Sequence, residues 1–209
     1  DSLGGSVSGA GDINSDGVAD VIISAALADP PNPSGVPTDP AVVDAGESYV
    51  IFGKPSDQSF GATIDLTSLD GTNGFTIRGS TVGDLLGTQV DGAGDFNGDQ
   101  IDDLLITASQ DVEGATNTGQ AYVIYGKSES SVFDASIETS DLNGTNGFSM
   151  GGIRTDQALG TKASGLGDVN GDGLADLVIA EAADADLSLG GALAYVVFGF
   201  PTNGDSNSF

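Results

Sequence analysis

The sequence contains no cysteine, histidine or tryptophan among its 209 residues. Without cysteine, the chain has no disulfide framework, no thiolate metal site and no thiol nucleophile. Without histidine, it lacks the usual general base near neutral pH and the commonest nitrogen ligand for transition metals. Ser-His-Asp and Cys-His catalysis are therefore closed to this chain alone.

Basic residues are also scarce, because 5 Lys and Arg stand against 31 Asp and Glu, for a formal net charge of -26. Proteins bind nucleic acid and anionic lipid largely through basic side chains, which displace the counterions of the phosphate groups. The scarcity of basic residues therefore argues against such partners. No apolar run approaches the roughly 18 residues of a membrane span. Apolar residues still make up 38% of the chain. They come in compact, strand-like runs, which favour a folded β protein over disorder.

The chain carries an internal repeat, which is the most informative feature of the sequence. Three acidic units share one pattern: GDINSDGVADVIIS from Gly11, GDFNGDQIDDLLIT from Gly94 and GDVNGDGLADLVIA from Gly167. A second motif follows each acidic unit: GESYVIFGK from Gly46, GQAYVIYGK from Gly119 and ALAYVVFG from Ala192. The period is 73 residues, and the first copy carries a ten-residue insertion within the Pro-rich segment 29–45.

The repeat predicts one array over residues 1–209, with repeat 1 at about 1–79, repeat 2 at about 80–152 and repeat 3 at about 153–209. Short β-branched or aromatic runs such as 19–25 and 49–52 are typical of strands. The glycine-rich stretch before each acidic loop and the GFTIRG segment add two more strands per unit. We therefore predict an all-β fold of β-propeller-type blades, each a four-stranded antiparallel sheet.

Three blades are too few for a closed propeller, which typically has about 4 to 8. The third repeat also lacks its outer strand in this sequence. We therefore expect an incomplete or open propeller, either a fragment of a longer repeat chain or a subunit whose neighbours complete the sheet.

Each acidic unit places side-chain oxygens at loop positions 1, 3, 5 and 9, counted from its first aspartate. A tight loop turns alternate side chains inward, so that positions 1, 3 and 5 converge on one point. Position 7 would offer its backbone carbonyl, and the ninth carboxylate would complete the shell. The predicted metal ligands are Asp12, Asn14, Asp16, Val18 and Asp20; Asp95, Asn97, Asp99, Ile101 and Asp103; and Asp168, Asn170, Asp172, Leu174 and Asp176.

Hard oxygen donors without nitrogen or sulfur favour Ca²⁺, which accepts about 6 to 8 oxygens in flexible geometry. The sequence therefore predicts about three Ca²⁺ ions. Glycine at position 6 suits a turn with positive φ, but Gln100 takes that place in the second loop. The alternative is three Asp- and Asn-rich turns that merely cap strands, which the shared register of three copies disfavours.

An EF-hand is excluded by the residues that follow the loops. That motif needs a carboxylate at position 12 and flanking helices. The corresponding residues here are isoleucines inside a predicted strand: Ile23, Ile106 and Ile179.

The order of the repeated motifs resembles the FG-GAP repeat of integrin alpha-subunit N-terminal domains. It is still more similar to the tandem FG-GAP units of large secreted bacterial proteins. Leu-Gly stands in place of the family's "FG" motif at Leu3, Leu86 and Leu159. The sequences SAA, TAS and AEA stand in place of its "GAP" motif. The resemblance spans nearly the whole chain. It implies β-propeller blades with Ca²⁺ held in the hairpin between the first and second strands.

These features lead us to expect a non-enzymatic, extracellular, calcium-binding repeat module for cell adhesion or surface assembly. An accessory, non-catalytic part of a larger secreted hydrolase and a subunit of an extracellular filament remain alternatives. We expect a protein or glycan ligand to use the variable loops at 29–45, 111–118 and 181–190, because loops carry recognition more often than strands do. Neighbouring repeats or chains are the other expected partners.

Overall fold

The computed structural model describes residues 2–32, 41–110, 118–153, 158–182 and 193–202. These residues form twelve strands: β1 Val7–Gly11, β2 Asp20–Ala25, β3 Glu47–Ile51, β4 Gly74–Arg78, β5 Leu86–Gly94, β6 Asp103–Ala108, β7 Gln120–Ile124, β8 Ser136–Glu138, β9 Gly147–Gly151, β10 Lys162–Gly167, β11 Asp176–Ala180 and β12 Ala194–Val197. Two short 3₁₀ helices, at Leu66–Ser68 and Thr139–Asp141, complete the regular structure. Neither of these helices, the only ones in the described ranges, has the length and apolar character needed to cross a membrane.

The strands form three sheets that follow the order of the repeats. The strand orders are β1-β2-β3-β4-β8 in blade 1, β5-β6-β7-β9 in blade 2 and β10-β11-β12 in blade 3. Neighbouring strands are antiparallel, except that β8 runs parallel to β4. The all-β class and the blades of antiparallel sheet are thus confirmed, with no sheet of the described chain closed on itself. Residues 33–40, 111–117 and 183–192, which include most of the three variable loops, lie outside the described residues.

The core lies between the blades, in two apolar layers. The first joins blade 1, with Ile22 and Phe75, to blade 2, with Leu104 and Ile106. The second joins the other face of blade 2 to blade 3. Every residue of β6 is consequently buried, as expected for a strand covered on both faces. A blade therefore reaches full burial only between two neighbours.

The innermost strands of the three blades meet at Asp91. Its carboxylate accepts hydrogen bonds from the hydroxyls of Ser8 at 2.5 Å and Ser164 at 2.6 Å, and from the backbone N–H of Gly165 at 3.2 Å. Ser8, Asp91 and Ser164 occupy the same position in β1, β5 and β10. One charged side chain thus links all three repeats by hydrogen bonds that are stronger than neutral ones.

The glycines of the second and third Leu-Gly motifs pack closely on the preceding blade. Gly87 and Gly160 have φ of +94° and +90°. A Cβ at Gly87 would overlap the side chain of Ser24, and one at Gly160 would overlap Thr107. Glycine is needed here both for its backbone conformation and for the close approach.

Strand β8 belongs to repeat 2 in the sequence but pairs with the outer strand of blade 1. We call the segment Phe133–Glu138 the clasp. The ring of Phe133 stacks on Phe75 of blade 1, with centroids 4.3 Å apart and planes 8° apart. Ile137 is also buried against this layer. The connection between the third and fourth strands therefore fastens one blade to the one before it.

The clasp makes a matched pair of substitutions informative. Phe133→Ala removes a side chain that is 3% exposed, and we expect it to lower the free energy of unfolding by about 3–5 kcal/mol. Phe60, its counterpart in repeat 1, is 44% exposed, so Phe60→Ala should cost less than about 1 kcal/mol. Urea denaturation of both variants measures the difference, and equal losses would contradict the clasp.

Candidate metal centre

The three acidic loops connect the first two strands of each blade and share one backbone conformation. Positions 4 and 6 lie in the left-handed region in every loop. The residues concerned are Ser15, Gly98 and Gly171 at position 4, and Gly17, Gln100 and Gly173 at position 6. Gln100 thus keeps the loop shape despite its side chain, with φ of +71°. The requirement at position 4 was not anticipated from the sequence.

Positions 1, 3 and 5 come together in the first loop. The backbone N–H of Asp16 donates to both Asp12, at 2.9 Å, and Asn14, at 3.1 Å. The Asn14 amide donates to the Asp16 carboxylate at 3.0 Å, and Gly17 N–H donates to Asp12 at 2.9 Å. These hydrogen bonds hold the side chains at positions 1, 3 and 5 close to one another in the folded loop.

The other two loops repeat this arrangement. Asn97 donates to Asp99 at 3.1 Å, and Asn170 donates to Asp172 at 2.8 Å. The first aspartate again accepts from the backbone N–H at position 6, at 3.0 Å in the second loop and 2.8 Å in the third. Loop shape and side-chain placement are thus conserved across three different local sequences.

Position 7 faces the same group of oxygens through its backbone. The N–H groups of Val18, Ile101 and Leu174 each donate to the position 5 carboxylate at 2.9 Å. The participation of their carbonyl oxygens as ligands stays a prediction.

The carboxylate at position 9 is buried and has a second role. Asp20 accepts from the N–H of Ile13 in its own loop at 3.0 Å, and from the N–H of Gly53 after β3 at 2.7 Å. Asp103 makes the same bonds to Phe96 and Gly126, and Asp176 makes them to Val169 and Gly199. This side chain therefore joins the loop to the end of the third strand.

The glycine that donates to position 9 lies too close to the neighbouring backbone to carry a side chain. A Cβ at Gly53 would overlap the carbonyl oxygen of Ala19, and one at Gly126 would overlap that of Asp102. The repeated Phe-Gly or Tyr-Gly ending was the signal in the sequence that could have revealed this partner of position 9.

Burial and hydrogen bonding shift the pKa values of three loop carboxylates. Burial raises the pKa of Asp20 to about 6, with smaller contributions from the charges of Asp16 and Asp12. Burial likewise raises the pKa of Asp103 to about 7, and the charge of Asp99 adds to it. By contrast, hydrogen bonds from backbone N–H groups, Gly173 first, lower the pKa of Asp168. A bound divalent cation would offset the repulsion at the buried position.

The donor set of each loop fits a hard cation, since it consists of carboxylate, amide and carbonyl oxygens. The described residues hold no group of three or more acidic, histidine or cysteine side chains arranged to hold a metal ion. The position 9 carboxylate is directed to backbone N–H groups, so each loop groups an amide with two carboxylates. The identity and number of ions therefore stay predictions.

Adjacent loops also contact each other. Asp102, at position 8 of the second loop, accepts from the N–H of Asp12 at 2.8 Å. In the next pair, Ala175 at position 8 donates to the carbonyl of Asp95 at 2.9 Å. The three candidate sites thus lie along one edge of the array and are coupled through the backbone.

Comparison with known families agrees with this geometry. Residues 86–124, which run from β5 through the second loop to the end of β7, match the sequence model of the FG-GAP repeat. This segment of the chain is an FG-GAP repeat. FG-GAP repeats form propeller blades, consistent with the sheets observed here.

The chain is also similar to integrin alpha-PS2 of Drosophila melanogaster, to which it is 27% identical over 157 residues. The aligned region covers 73% of this chain and 10% of the integrin, so the chain spans about a tenth of that relative's length. This similarity points to an extracellular, adhesion-type module and to a non-catalytic repeat domain.

The left-handed conformation at Gln100 leads to a stability prediction. A non-glycine residue there costs about 1–2 kcal/mol, and glycine returns roughly 0.5–1 kcal/mol of this as unfolded-state entropy. We expect Gln100→Gly to raise the free energy of unfolding by about 0.5–1 kcal/mol, measured in urea without divalent cations. Gly173→Gln is the reciprocal control and should lower it. A loss of stability in Gln100→Gly would contradict the assigned backbone strain.

Proposed function

We propose that this FG-GAP protein is a calcium-binding extracellular module for adhesion or structural assembly, in which one Ca²⁺ stabilises each blade. The proposal rests on the recurrence of one oxygen-donor loop in three consecutive blades. Side chains at positions 1, 3 and 5, the carbonyl at position 7 and the carboxylate at position 9 would hold each ion. Ca²⁺ is favoured over Mg²⁺ because it tolerates irregular, oxygen-rich shells.

The position of the loops explains what an ion would do. Each loop closes the first hairpin of a blade and is tied to the third strand by its position 9 aspartate. The carboxylates of Asp12, Asp16 and Asp20 repel one another when all are ionised, and a dication offsets that repulsion. An ion that binds the folded loop alone stabilises the blade by linkage. The role is therefore structural, and the exposed surfaces of the array remain open for contacts with partners.

Removal of calcium should lower the melting temperature, and millimolar Ca²⁺ should restore it. A site filled at a hundredfold excess over its Kd contributes about 2.7 kcal/mol. Thermal unfolding in EDTA and in Ca²⁺, followed by circular dichroism, measures the effect. An identical melting curve in both conditions would refute a stabilising role for calcium.

The number of ions provides a separate test. We expect calorimetric titration to count about three Ca²⁺ per chain, and Asp168→Ala to remove one of them, because position 1 contributes to each donor group. The matched control is Asp70→Ala, since Asp70 caps a turn through Thr72 outside the acidic loops. A count that falls equally in both variants would mean that the loops are not the sites.

A further inference from the structure

Asp102 lies in the second acidic loop but contacts the first. It stands at position 8, between Ile101 and Asp103, the predicted ligands at positions 7 and 9. Its Oδ2 accepts the backbone N–H of Asp12, the predicted ligand at position 1 of the first loop, at 2.8 Å. A Cβ on Gly11, which precedes Asp12, would overlap the Asp102 carboxylate. One side chain that is not itself a predicted ligand therefore connects the two candidate sites.

Position 8 differs among the three loops. Ala19 and Ala175 occupy it in the first and third loops. Ala175 joins the third loop to the second through its backbone, because its N–H donates to the carbonyl of Asp95 at 2.9 Å. The side-chain contact between the first two loops can thus be removed by a substitution that gives the second loop the residue of its two counterparts.

Backbone groups join the same two loops through their position 9 carboxylates. The N–H of Gly126 donates to Asp103 at 2.9 Å. The next residue, Lys127, donates its N–H to the carbonyl of Ile13 in the first loop at 2.9 Å. Ile13 itself donates to Asp20 at 3.0 Å. The buried carboxylates of the first two loops are therefore linked through consecutive peptide groups.

We propose that Asp102 couples calcium binding at the first two loops, so that an ion in the second loop strengthens binding in the first. Occupation of the second loop fixes Ile101 and Asp103, and with them the side chain that holds the backbone of Asp12. A site whose ligands are already placed loses less conformational entropy on binding. Linkage makes the effect reciprocal, with the same factor in both directions. This inference rests on the proposed function.

Site-resolved calcium titration tests the coupling. The amides of Gly17 and Gln100 donate to the position 1 carboxylates of the first and second loops, respectively. Their NMR chemical shifts therefore report the two occupancies separately. Asp99→Ala removes a predicted ligand of the second loop, and we expect it to weaken binding at the first loop at least about fivefold. Asp16→Ala should weaken binding at the second loop by the same factor.

Substitution of Asp102 separates coupling from binding. Asp102→Ala should still bind Ca²⁺ at both loops, but in this background Asp99→Ala should no longer weaken binding at the first loop. Asp102→Asn is the matched control, because it loses the same charge but keeps an oxygen that accepts from Asp12, and it should retain most of the coupling. The contact also has a metal-free readout: in EDTA, amide hydrogen exchange at Asp12 should be faster in Asp102→Ala than in the wild type.

Independent binding at the first two loops of the wild type would overturn the proposal. So would a coupling factor that Asp102→Ala leaves unchanged, or one that Asp102→Asn removes as completely as Asp102→Ala does. Three ions that bind independently would refute the coupling and leave the calcium sites standing. A chain that binds no calcium would refute the proposed function, whereas unchanged hydrogen exchange at Asp12 would refute the Asp102 contact whether or not calcium binds.

Discussion

The buried carboxylate at position 9 of each loop is the interaction on which a blade depends. Asp20, Asp103 and Asp176 each accept backbone hydrogen bonds from their own loop and from the glycine after the third strand. Without that acceptor, the N–H groups would be left unpaired, at about 1–3 kcal/mol each. A single side chain thus fixes the loop, the first hairpin and the third strand relative to one another.

Blades built this way are incomplete as separate units. Their apolar faces are covered by the next sheet, and the chain arranges them so that each buries its neighbour. Asp91 holds the inner strands together, and the clasp holds the outer edge of blade 1. Stability in such an array is approximately a sum of unit terms and nearest-neighbour terms. The middle blade, flanked on both sides, is consequently the most completely buried of the three.

The sequence carried enough local information to predict the blades and the geometry of loop positions 1, 3 and 5. Strand β5, for example, was expected from the glycine-rich stretch before the second loop, and short-range alternation places Asp12, Asn14 and Asp16 together. Contacts between repeats could not be predicted in this way. The 73-residue period shows that Ser8, Asp91 and Ser164 are equivalent, but equivalence along a chain does not reveal that they meet at one point in space. The pairing of β8 with β4 was missed for the same reason.

The parallel pairing of β8 with β4 also affects how the chain matures. Blade 1 has all four of its own strands by Arg78, yet its fifth strand begins at Ser136. During synthesis, which delivers the N-terminal part first, the outer edge of blade 1 stays uncovered until most of repeat 2 has left the ribosome. Blade 1 is therefore finished only when the repeat that follows it has been translated.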